Sequence, residues 1–473
     1  MRRLAPIAAG LLASLAAATL AAGPPPSTPP RPAANPAEWK SRGWKQVYPH
    51  AYVIRSRAAA RAAPEPSAPV AFYLAGGYRT RVLAQGRTWW RVSGLRGATG
   101  WMRAEDLEPH ASWVFIDVAT RRVTQRIAAK GQHGGIARAG TLWSVADTGI
   151  TRTELHPQPK YWSYPAVKDQ FFDLPRDGAW RPDGHRLYLL DYDERETALL
   201  TVRPLTGQVD RRPMEVGGLE PVVTGEHVAL PKQFEGGVPK TLVIDPEAGR
   251  PLKTVLGALL GSTPTGGILL WRGGSIVRAE ATSSDERSFS RPAGWELDQP
   301  GLNFDGSLVL ADLYRDHRSA KTRYLTRILD AETLRPAAQL TPPGHLLMPA
   351  ALDALRAPSG WHLVYTGDGE RVMRLVSYDQ GKRIRHVTPI EAWGISPDQR
   401  LVAGAGIKEL VLIEAKTGRR RRVPMHWRRS HPQQYLPRSA PGVEVRFESA
   451  AVTFSEDGRT LIVAEYLFGD PLG

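Results

Sequence analysis

The segment Phe454-Ser-Glu-Asp-Gly-Arg-Thr-Leu-Ile462 contains two short apolar stretches joined by a tight polar turn. Gly and Asp tolerate the left-handed backbone that a short chain reversal needs, so the segment predicts a β-hairpin. The same arrangement occurs at three earlier places: Trp180-Arg-Pro-Asp-Gly-His-Arg-Leu-Tyr188, Asn303-Phe-Asp-Gly-Ser-Leu-Val309 and Ile395-Ser-Pro-Asp-Gln-Arg-Leu-Val402. The chain from Trp113 to Gly473 is therefore expected to repeat one unit of β-structure.

A second marker sets the period of this repeat. It is an aliphatic residue followed by an acid or a turn residue, and then by Thr-Gly or a variant. The copies are Ile116-Asp117, Val202-Arg203, Ile244-Asp245, Leu329-Asp330, Val376-Ser377 and Ile413-Glu414. They are spaced by roughly 42 residues, or by double that, which is typical of the four-stranded blade of a β-propeller. The doubled intervals predict two degenerate copies, near residues 160 and 287.

The two ends of the repeating region complement each other. Residues 452–466 supply only the first two strands of a unit, and residues 113–127 supply only the last two. Pairing them would close the ring through one composite blade and remove two exposed sheet edges. We therefore expect an all-β fold with an eight-bladed propeller over residues 109–473. Seven blades is the alternative if the weak unit near residue 287 is not a true blade.

The N-terminal residues are typical of an exported chain. Met1-Arg-Arg is followed by an Ala- and Leu-rich run from Leu4 to Ala22 that ends among small residues. This predicts a secretory signal peptide over residues 1–22, with an uncleaved membrane anchor as the alternative. Residues 23–45 are rich in Pro and Ala and predict an extended linker. We expect a periplasmic or extracellular protein with no stable membrane span after cleavage.

Composition limits the possible functions. The chain has 473 residues, a formal net charge of +15 and no cysteine. Without cysteine there is no disulfide, no zinc–thiolate site and no cysteine nucleophile. The positive charge favours anionic partners, and export argues against nucleic acid. We expect a monomer that binds an envelope protein or an anionic polysaccharide such as peptidoglycan.

A compact β pattern lies within residues 46–108. Trp89 or Trp90 with Val92, then Gly100-Trp101 and Leu107, resemble the motif of bacterial SH3-like domains. The resemblance implies a small SH3-like barrel that binds cell-wall peptides or protein segments, with Trp90 and Trp101 as candidate contact residues. The alternative is a spacer that only packs on its neighbour. An Ala/Pro-rich insertion, residues 57–69, is expected to occupy a recognition loop.

The turn motifs of the large domain resemble those of WD-repeat and TolB-type propellers, although the Gly-His and Trp-Asp dipeptides of WD repeats are missing. This resemblance implies a fold and no particular function, because such propellers serve as binding scaffolds and as enzymes. Local catalytic motifs are also missing. Gly273-Gly-Ser-Ile-Val277 lacks the closing glycine of a nucleophile elbow, and the His-Glu-x-x-His zinc motif does not occur. The sequence predicts no catalytic residue, no metal ligand and no cofactor.

A basic run near the C terminus is the most unusual local feature. It is expected on the outer strand of the last complete blade and in the Pro-rich connection that follows. Its candidate binding residues are Arg419, Arg420, Arg421, Arg422, Trp427, Arg428 and Arg429. They predict either a docking patch for an anionic partner or a solvated outer strand.

Three functions fit the sequence. The one we favour is a non-enzymatic exported binding or scaffold protein whose propeller face docks a protein or a glycan. The second is a hydrolase or lyase for a polysaccharide or peptide, with its site in the central propeller pocket. The third is a structural partner in an envelope assembly, attached to the wall by the SH3-like domain.

Overall fold

The computed structural model of the chain describes residues 36–130, 133–138, 141–146, 149–155, 159–165, 180–181, 185–192, 197–214, 221–232, 238–298, 300–316, 322–344, 346, 348–357, 360–367, 373–406, 409–425 and 446–468. The predicted signal peptide lies outside these ranges. A short segment with helix α1 (Pro36–Ser41) and strand β1 (Lys45–Val47) precedes an SH3-type domain and an eight-bladed propeller.

The SH3-type domain is one seven-stranded sheet around its own core. Its strands are β2 (His50–Val53), β3 (Arg57–Arg61), β4 (Val70–Ala75), β5 (Arg79–Gln85), β6 (Trp89–Ser93), β7 (Thr99–Arg103) and β8 (Leu107–Pro109), with 3-10 turns at Leu95–Gly97 and Ala104–Asp106. The strand order is β4-β3-β7-β6-β5-β2-β8. Alternate residues of these strands, such as Val82, Val92 and Met102, fill the core.

The insertion at residues 57–69 differs from the expected recognition loop. Its first five residues form β3, which pairs with β4 so that Ala58 lies opposite Leu74 and Ala60 opposite Phe72. Ala58 and Ala60 are buried in the core. Small side chains are needed there because a Cβ on Gly100 of β7 would lie only 3.0 Å from the Ala60 Cβ. The alanine-rich sequence therefore reflects close strand packing.

Eight sheets form the propeller. The domain begins with β9 (Ala111–Asp117) and β10 (Arg122–Ala128). Blade 1 then consists of β11 (His133–Arg138), β12 (Thr141–Ala146), β13 (Gly149–Glu154) and β14 (Lys160–Pro165), and blade 2 of β15 (Leu187–Tyr192), β16 (Thr197–Arg203) and β17 (Gln208–Met214). Blade 3 consists of β18 (Val222–Thr224), β19 (His227–Lys232), β20 (Lys240–Asp245) and β21 (Arg250–Leu256), and blade 4 of β22 (Ala258–Ser262), β23 (Ile268–Arg272), β24 (Ser275–Ala279) and β25 (Glu286–Ser290). In blade 2, Trp180 forms an isolated bridge to Leu187 beside the first strand.

The next three blades complete the sequential part of the ring. Blade 5 consists of β26 (Glu296–Leu297), β27 (Gly301–Leu302), β28 (Leu308–Arg315), β29 (Arg323–Asp330) and β30 (Pro336–Leu340). Blade 6 consists of β31 (Ala350–Arg356), β32 (Gly360–Thr366), β33 (Met373–Asp379) and β34 (Lys382–Ile390). Blade 7 consists of β35 (Ala392–Ile395), β36 (Leu401–Ala405), β37 (Leu410–Glu414) and β38 (Arg420–Val423). The weak unit near residue 287 is the complete blade 4, so the ring has eight blades and not seven.

The eighth blade joins the two ends of the propeller, as predicted. β39 (Arg446–Phe454) and β40 (Thr460–Phe468) form one sheet with β9 and β10, in the order β10-β9-β40-β39. In the central pair, Thr460 lies opposite Asp117 and Tyr466 opposite Ala111. Ring closure therefore rests on backbone hydrogen bonds between the two ends of the domain.

Apolar clusters fill the space between neighbouring blades. Successive side chains of a strand point to opposite faces, so each central strand contributes to two clusters. In β40, Leu461 and Val463 pack toward blade 7, whereas Ile462 and Ala464 pack toward blade 1. Clusters of described residues lie at all eight blade interfaces. This two-sided burial explains the continuous apolar runs in the sequence.

The repeated turn has one hydrogen-bonding pattern. Ser455 Oγ donates to Asp457 Oδ1 at 2.6 Å, the Arg459 amide donates to the same oxygen at 3.0 Å, and the Thr460 amide donates to Ser455 Oγ at 2.9 Å. Gly458 has a φ of 69°, the left-handed conformation that the motif predicted. The copies that begin at Ser396 and Asn303 repeat the pattern around Asp398 and Asp305.

The segment before the SH3-type domain packs on the propeller, although residues 23–45 were expected to form an extended linker. Strand β1 pairs with β14 and adds a fifth strand to blade 1. Trp39 and Trp44 are buried between blades 1 and 2, and Trp44 Nε1 donates to the carbonyl oxygen of Gly207 at 2.7 Å. A Cβ on Gly207 would lie 3.0 Å from the Trp39 ring. The two tryptophans thus anchor the end of the predicted linker to blades 1 and 2.

Among the described residues, no helix combines the length and the apolar composition that a membrane crossing requires.

Candidate functional site

A closed ring of hydrogen bonds joins the SH3-type domain to the propeller. Gln85, at the end of β5, accepts a hydrogen bond from the Ala128 amide at 2.8 Å and donates one to Tyr161 Oη at 2.6 Å. Tyr161 in turn donates to the carbonyl oxygen of Ala128 at 2.5 Å. Gln85 and Tyr161 are both buried, and burial raises the pKa of Tyr161 far above its usual value. Tyr161 therefore stays a neutral donor, and one glutamine links the domain to blades 8 and 1.

A buried ion pair supports the same junction. Arg126 of β10 donates to Glu108 of β8 at 2.7 Å, and Glu108 is only 1% exposed. Burial alone would lower the pKa of Arg126, but the carboxylates of Glu108 and Glu465 outweigh it and raise the pKa. Leu467, near the end of β40, packs on Tyr52 and Ile54 of the small domain. The domain is therefore fixed to the composite blade that closes the ring.

The candidate tryptophans of this domain lie in two different environments. Trp90 is 6% exposed, and its Nε1 donates to the carbonyl oxygen of Gly86 at 3.1 Å. It therefore offers almost no surface to a partner. Trp101, on β7, is half-buried and points away from the core, as does Trp89 on β6. The sequence motif did not show which of Trp89 and Trp90 faces the core. Adjacent residues of a strand point to opposite sides, so only one of the two tryptophans can be buried there.

The outer side of β6 and β7 combines aromatic and cationic side chains. Trp89 lies opposite Arg103, and Arg91 lies opposite Trp101. The Arg103 guanidinium is 5.7 Å from the Trp89 ring centroid, a cation–π distance. We call these four residues the aromatic face. Flat rings beside exposed guanidinium groups provide stacking surface together with hydrogen-bond donors for carboxylates or sugars.

The basic run lies where the sequence placed it, on and just before the outer strand β38. Arg420 and Arg422 bind the two oxygens of Glu409, at 2.5 Å and 3.0 Å. Arg419 and Arg421 are exposed. Trp427, Arg428 and Arg429 lie outside the described residues. Arg422 keeps 73% of its side chain exposed while it binds Glu409, whereas Arg420 is mostly buried.

A polar cleft of about 600 Å³ lies between the SH3-type domain and the propeller, and sequence reasoning missed it. Its lining combines cationic side chains with small residues of the turn after β6. The lining residues are His50, Tyr78, Arg79, Arg81, Ser93, Gly94, Gly97 and Lys130. The Arg79 and Arg81 spacing was visible in the sequence, but Lys130 comes from the other domain. We call this site the basic cleft.

Comparison with known protein families supports the SH3-type domain. Residues 55–109 match the bacterial SH3 domain family. No curated protein matches the chain. Similar solved structures include a dihydro-heme d1 dehydrogenase in complex with DHE, at 12% identity over 66% of this chain and 73% of that chain, with a TM-score of 0.44. An oligogalacturonate lyase from Vibrio parahaemolyticus has 12% identity, coverage of 71% and 98%, and a TM-score of 0.36.

A further similar structure is the β-propeller domain of Cps50 from Myceliophteria thermophila, at 12% identity over 60% of this chain and 96% of that domain, with a TM-score of 0.31. Strand order and the SH3 match together define the class of protein. It is a bacterial SH3 domain docked on the closing blade of an eight-bladed propeller.

Proposed function

We propose that this chain is an exported, non-enzymatic binding protein that holds an anionic polysaccharide of the cell envelope, such as peptidoglycan. The observation that carries the proposal is the orientation of the SH3 domain. Buried contacts fix one side of it to the closing blade, while on β6 and β7 the rings of the aromatic face stay partly exposed and its guanidinium groups exposed. A domain that served only as a spacer would have no need of this exposed combination of rings and guanidinium groups.

Exposed arginines on and just before β38 extend the proposal to the propeller. Arg419 and Arg421 carry charges that a polyanion could contact, and the net charge of +15 favours such a partner at long range. The charges should act mainly on the rate of association, because exposed charges are well screened at physiological salt.

Co-sedimentation with purified peptidoglycan tests the proposal. Trp89→Ala with Trp101→Ala should abolish retention, whereas Tyr73→Ala should not, although Tyr73 is an aromatic residue of the same domain with 50% exposure. Wild-type retention should weaken at high salt. Equal retention of both variants would contradict the role of the aromatic face. The enzyme alternative predicts released fragments in the supernatant, so the same experiment distinguishes binding from cleavage.

Export has its own test. N-terminal sequencing of the mature protein should find a start between Thr19 and Gly23. A start at Met1 in membrane fractions would support the uncleaved anchor instead.

A further inference from the structure

We propose that the basic cleft is a binding site for the phosphoryl group of a small anionic molecule. The site is independent of the aromatic face and of the polysaccharide proposed above. It rests on the convergence of four basic side chains from two domains on one polar cavity.

The fold of the SH3 domain brings three of these side chains together. Arg79 and Arg81 are two positions apart on β5, so both point to the same face, while Thr80 and Val82 between and beyond them are buried in the core. His50 of the neighbouring strand β2 lies directly opposite Arg81. The pairing of β2 with β5 therefore places the two arginines and the His50 imidazole side by side in the cleft.

The propeller supplies the fourth basic group. Lys130 lies just beyond the end of β10, two residues after the Ala128 amide that holds Gln85. Docking of the two domains thus completes the site, since Lys130 faces the row on β5 only in the assembled molecule. The rest of the lining is formed by Tyr78 and by Ser93, Gly94 and Gly97 in the turn after β6.

The electrostatics of the cleft favour an anion. Burial, with the charges of Arg79, Lys130 and Arg81, lowers the pKa of His50 to about 4. Burial, with Arg79 and Arg81, also lowers the pKa of Lys130. Among the described residues, every charge that shifts either pKa is positive. Arg126, elsewhere at the junction, has the carboxylate of Glu108 beside it.

Charge and size select the chemical class. A carboxylate carries one negative charge, whereas a phosphate ester carries about 1.5 to 2 and has three acceptor oxygens. The latter matches two guanidinium groups and an ammonium group, and planar guanidinium groups bind phosphate oxygens in pairs. A volume of about 600 Å³ exceeds that of a free phosphate ion and lies in the range of small-molecule sites. The polar lining excludes an acyl chain.

Isothermal titration with inorganic pyrophosphate at low ionic strength tests the proposal. Wild type should bind with 1:1 stoichiometry. Arg79→Gln with Arg81→Gln should weaken binding at least about 10-fold, which corresponds to about 1.4 kcal/mol. The matched control is Arg250→Gln with Arg335→Gln, which removes the same charge from two exposed positions of other blades and should bind like wild type. Equal weakening of both variants, or no binding by wild type, would overturn the proposal.

Two further measurements sharpen the result. Citrate carries a negative charge similar to that of pyrophosphate, but on carboxylate groups. Tighter binding of citrate than of pyrophosphate would therefore overturn the choice of a phosphoryl ligand.

In NMR titrations, saturating pyrophosphate should raise the pKa of His50 from about 4, because a nearby anion stabilises the imidazolium. An unchanged His50 titration would place the anion elsewhere. Loss of peptidoglycan binding would leave each of these outcomes unaffected, so the two proposals can fail separately.

Discussion

Gln85 Nε2 and Tyr161 Oη form a hydrogen bond of 2.6 Å between two domains, and both side chains are buried. Because Gln85 also accepts from the Ala128 amide, removing its side chain would leave that buried amide without its acceptor. A buried polar group that loses its partner costs about 1 to 3 kcal/mol.

Gln85→Ala is therefore expected to lower the free energy of unfolding by about 1 to 3 kcal/mol. Gln125→Ala is the control, since Gln125 is an exposed glutamine on β10 of the adjoining blade. Its change should be within about 0.5 kcal/mol. Urea unfolding followed by tryptophan fluorescence measures both. Equal stability of the two variants would mean that the junction does not depend on the Gln85 ring of hydrogen bonds.

Ring closure predicts a cooperative response to truncation. Deleting the last 22 residues removes β40 and the last three residues of β39, so β9 keeps only β10 as a neighbour and two sheet edges open. The whole propeller should lose its cooperative transition in calorimetry, because every blade is stabilised by its neighbours. A variant truncated after Phe468 keeps β39 and β40 and should melt like wild type. A cooperative transition in the longer deletion would contradict closure through blade 8.

Asp312 predicts an unusual pH dependence. Its carboxylate accepts hydrogen bonds from Thr326 Oγ1 at 2.5 Å and from the Ala351 amide of the next blade at 2.7 Å. Burial nevertheless raises its pKa from the ordinary 3.8 to about 7. The folded chain therefore holds this proton more tightly than the unfolded chain. This tighter binding of the proton by Asp312 stabilises the folded chain. Its contribution to the free energy of unfolding is complete below about pH 4 and is lost as the pH rises through 7.

Asp312→Asn replaces the acid by a group that does not titrate, so the fall in the free energy of unfolding with rising pH should disappear. Relative to wild type, the variant should gain on the order of 3 kcal/mol between pH 4.5 and 7.5, measured by urea unfolding. Asp457→Asn is the contrasting variant. Ser455 Oγ and the Arg459 amide lower the pKa of Asp457, so its contribution is present at neutral pH and is lost on acidification. Parallel pH profiles for the two variants would refute the assignment.

Glu409 divides the basic run into two functional halves. Arg420 is mostly buried and binds Glu409, so Arg420→Gln should lower stability by about 1 to 2 kcal/mol. Arg421, its exposed neighbour, should change stability by less than about 0.5 kcal/mol when it is replaced by Gln. Thermal unfolding distinguishes them. A large loss for Arg421→Gln would indicate that its aliphatic stem covers the outer strand.

The blade count and the ring closure could be predicted because both are written in local, repeated signals. Ser455, Asp457 and Gly458 specify a turn by themselves, and the repeat of that turn gives the architecture. These properties depend on neighbours in the sequence.

The junction could not be predicted for the opposite reason. Gln85, Glu108 and Lys130 are ordinary residues in sequence, and each acquires its role from a partner on a distant strand. The same holds for Trp39 and Trp44, whose burial depends on the turn at Gly207. Single side chains that meet across domains leave no periodic signal, so only the folded structure reveals them.

The pairing of β9 with β40 has a consequence for biosynthesis. The two strands stand at opposite ends of the propeller sequence, and β10 carries the contacts that hold the SH3 domain. A nascent chain thus presents β9, with an open edge and apolar side chains on both faces, until β40 has been made. Contacts of such long sequence separation fold slowly. We expect this chain to depend on holding chaperones during maturation, and its slowest refolding step to be the arrival of the C-terminal strands.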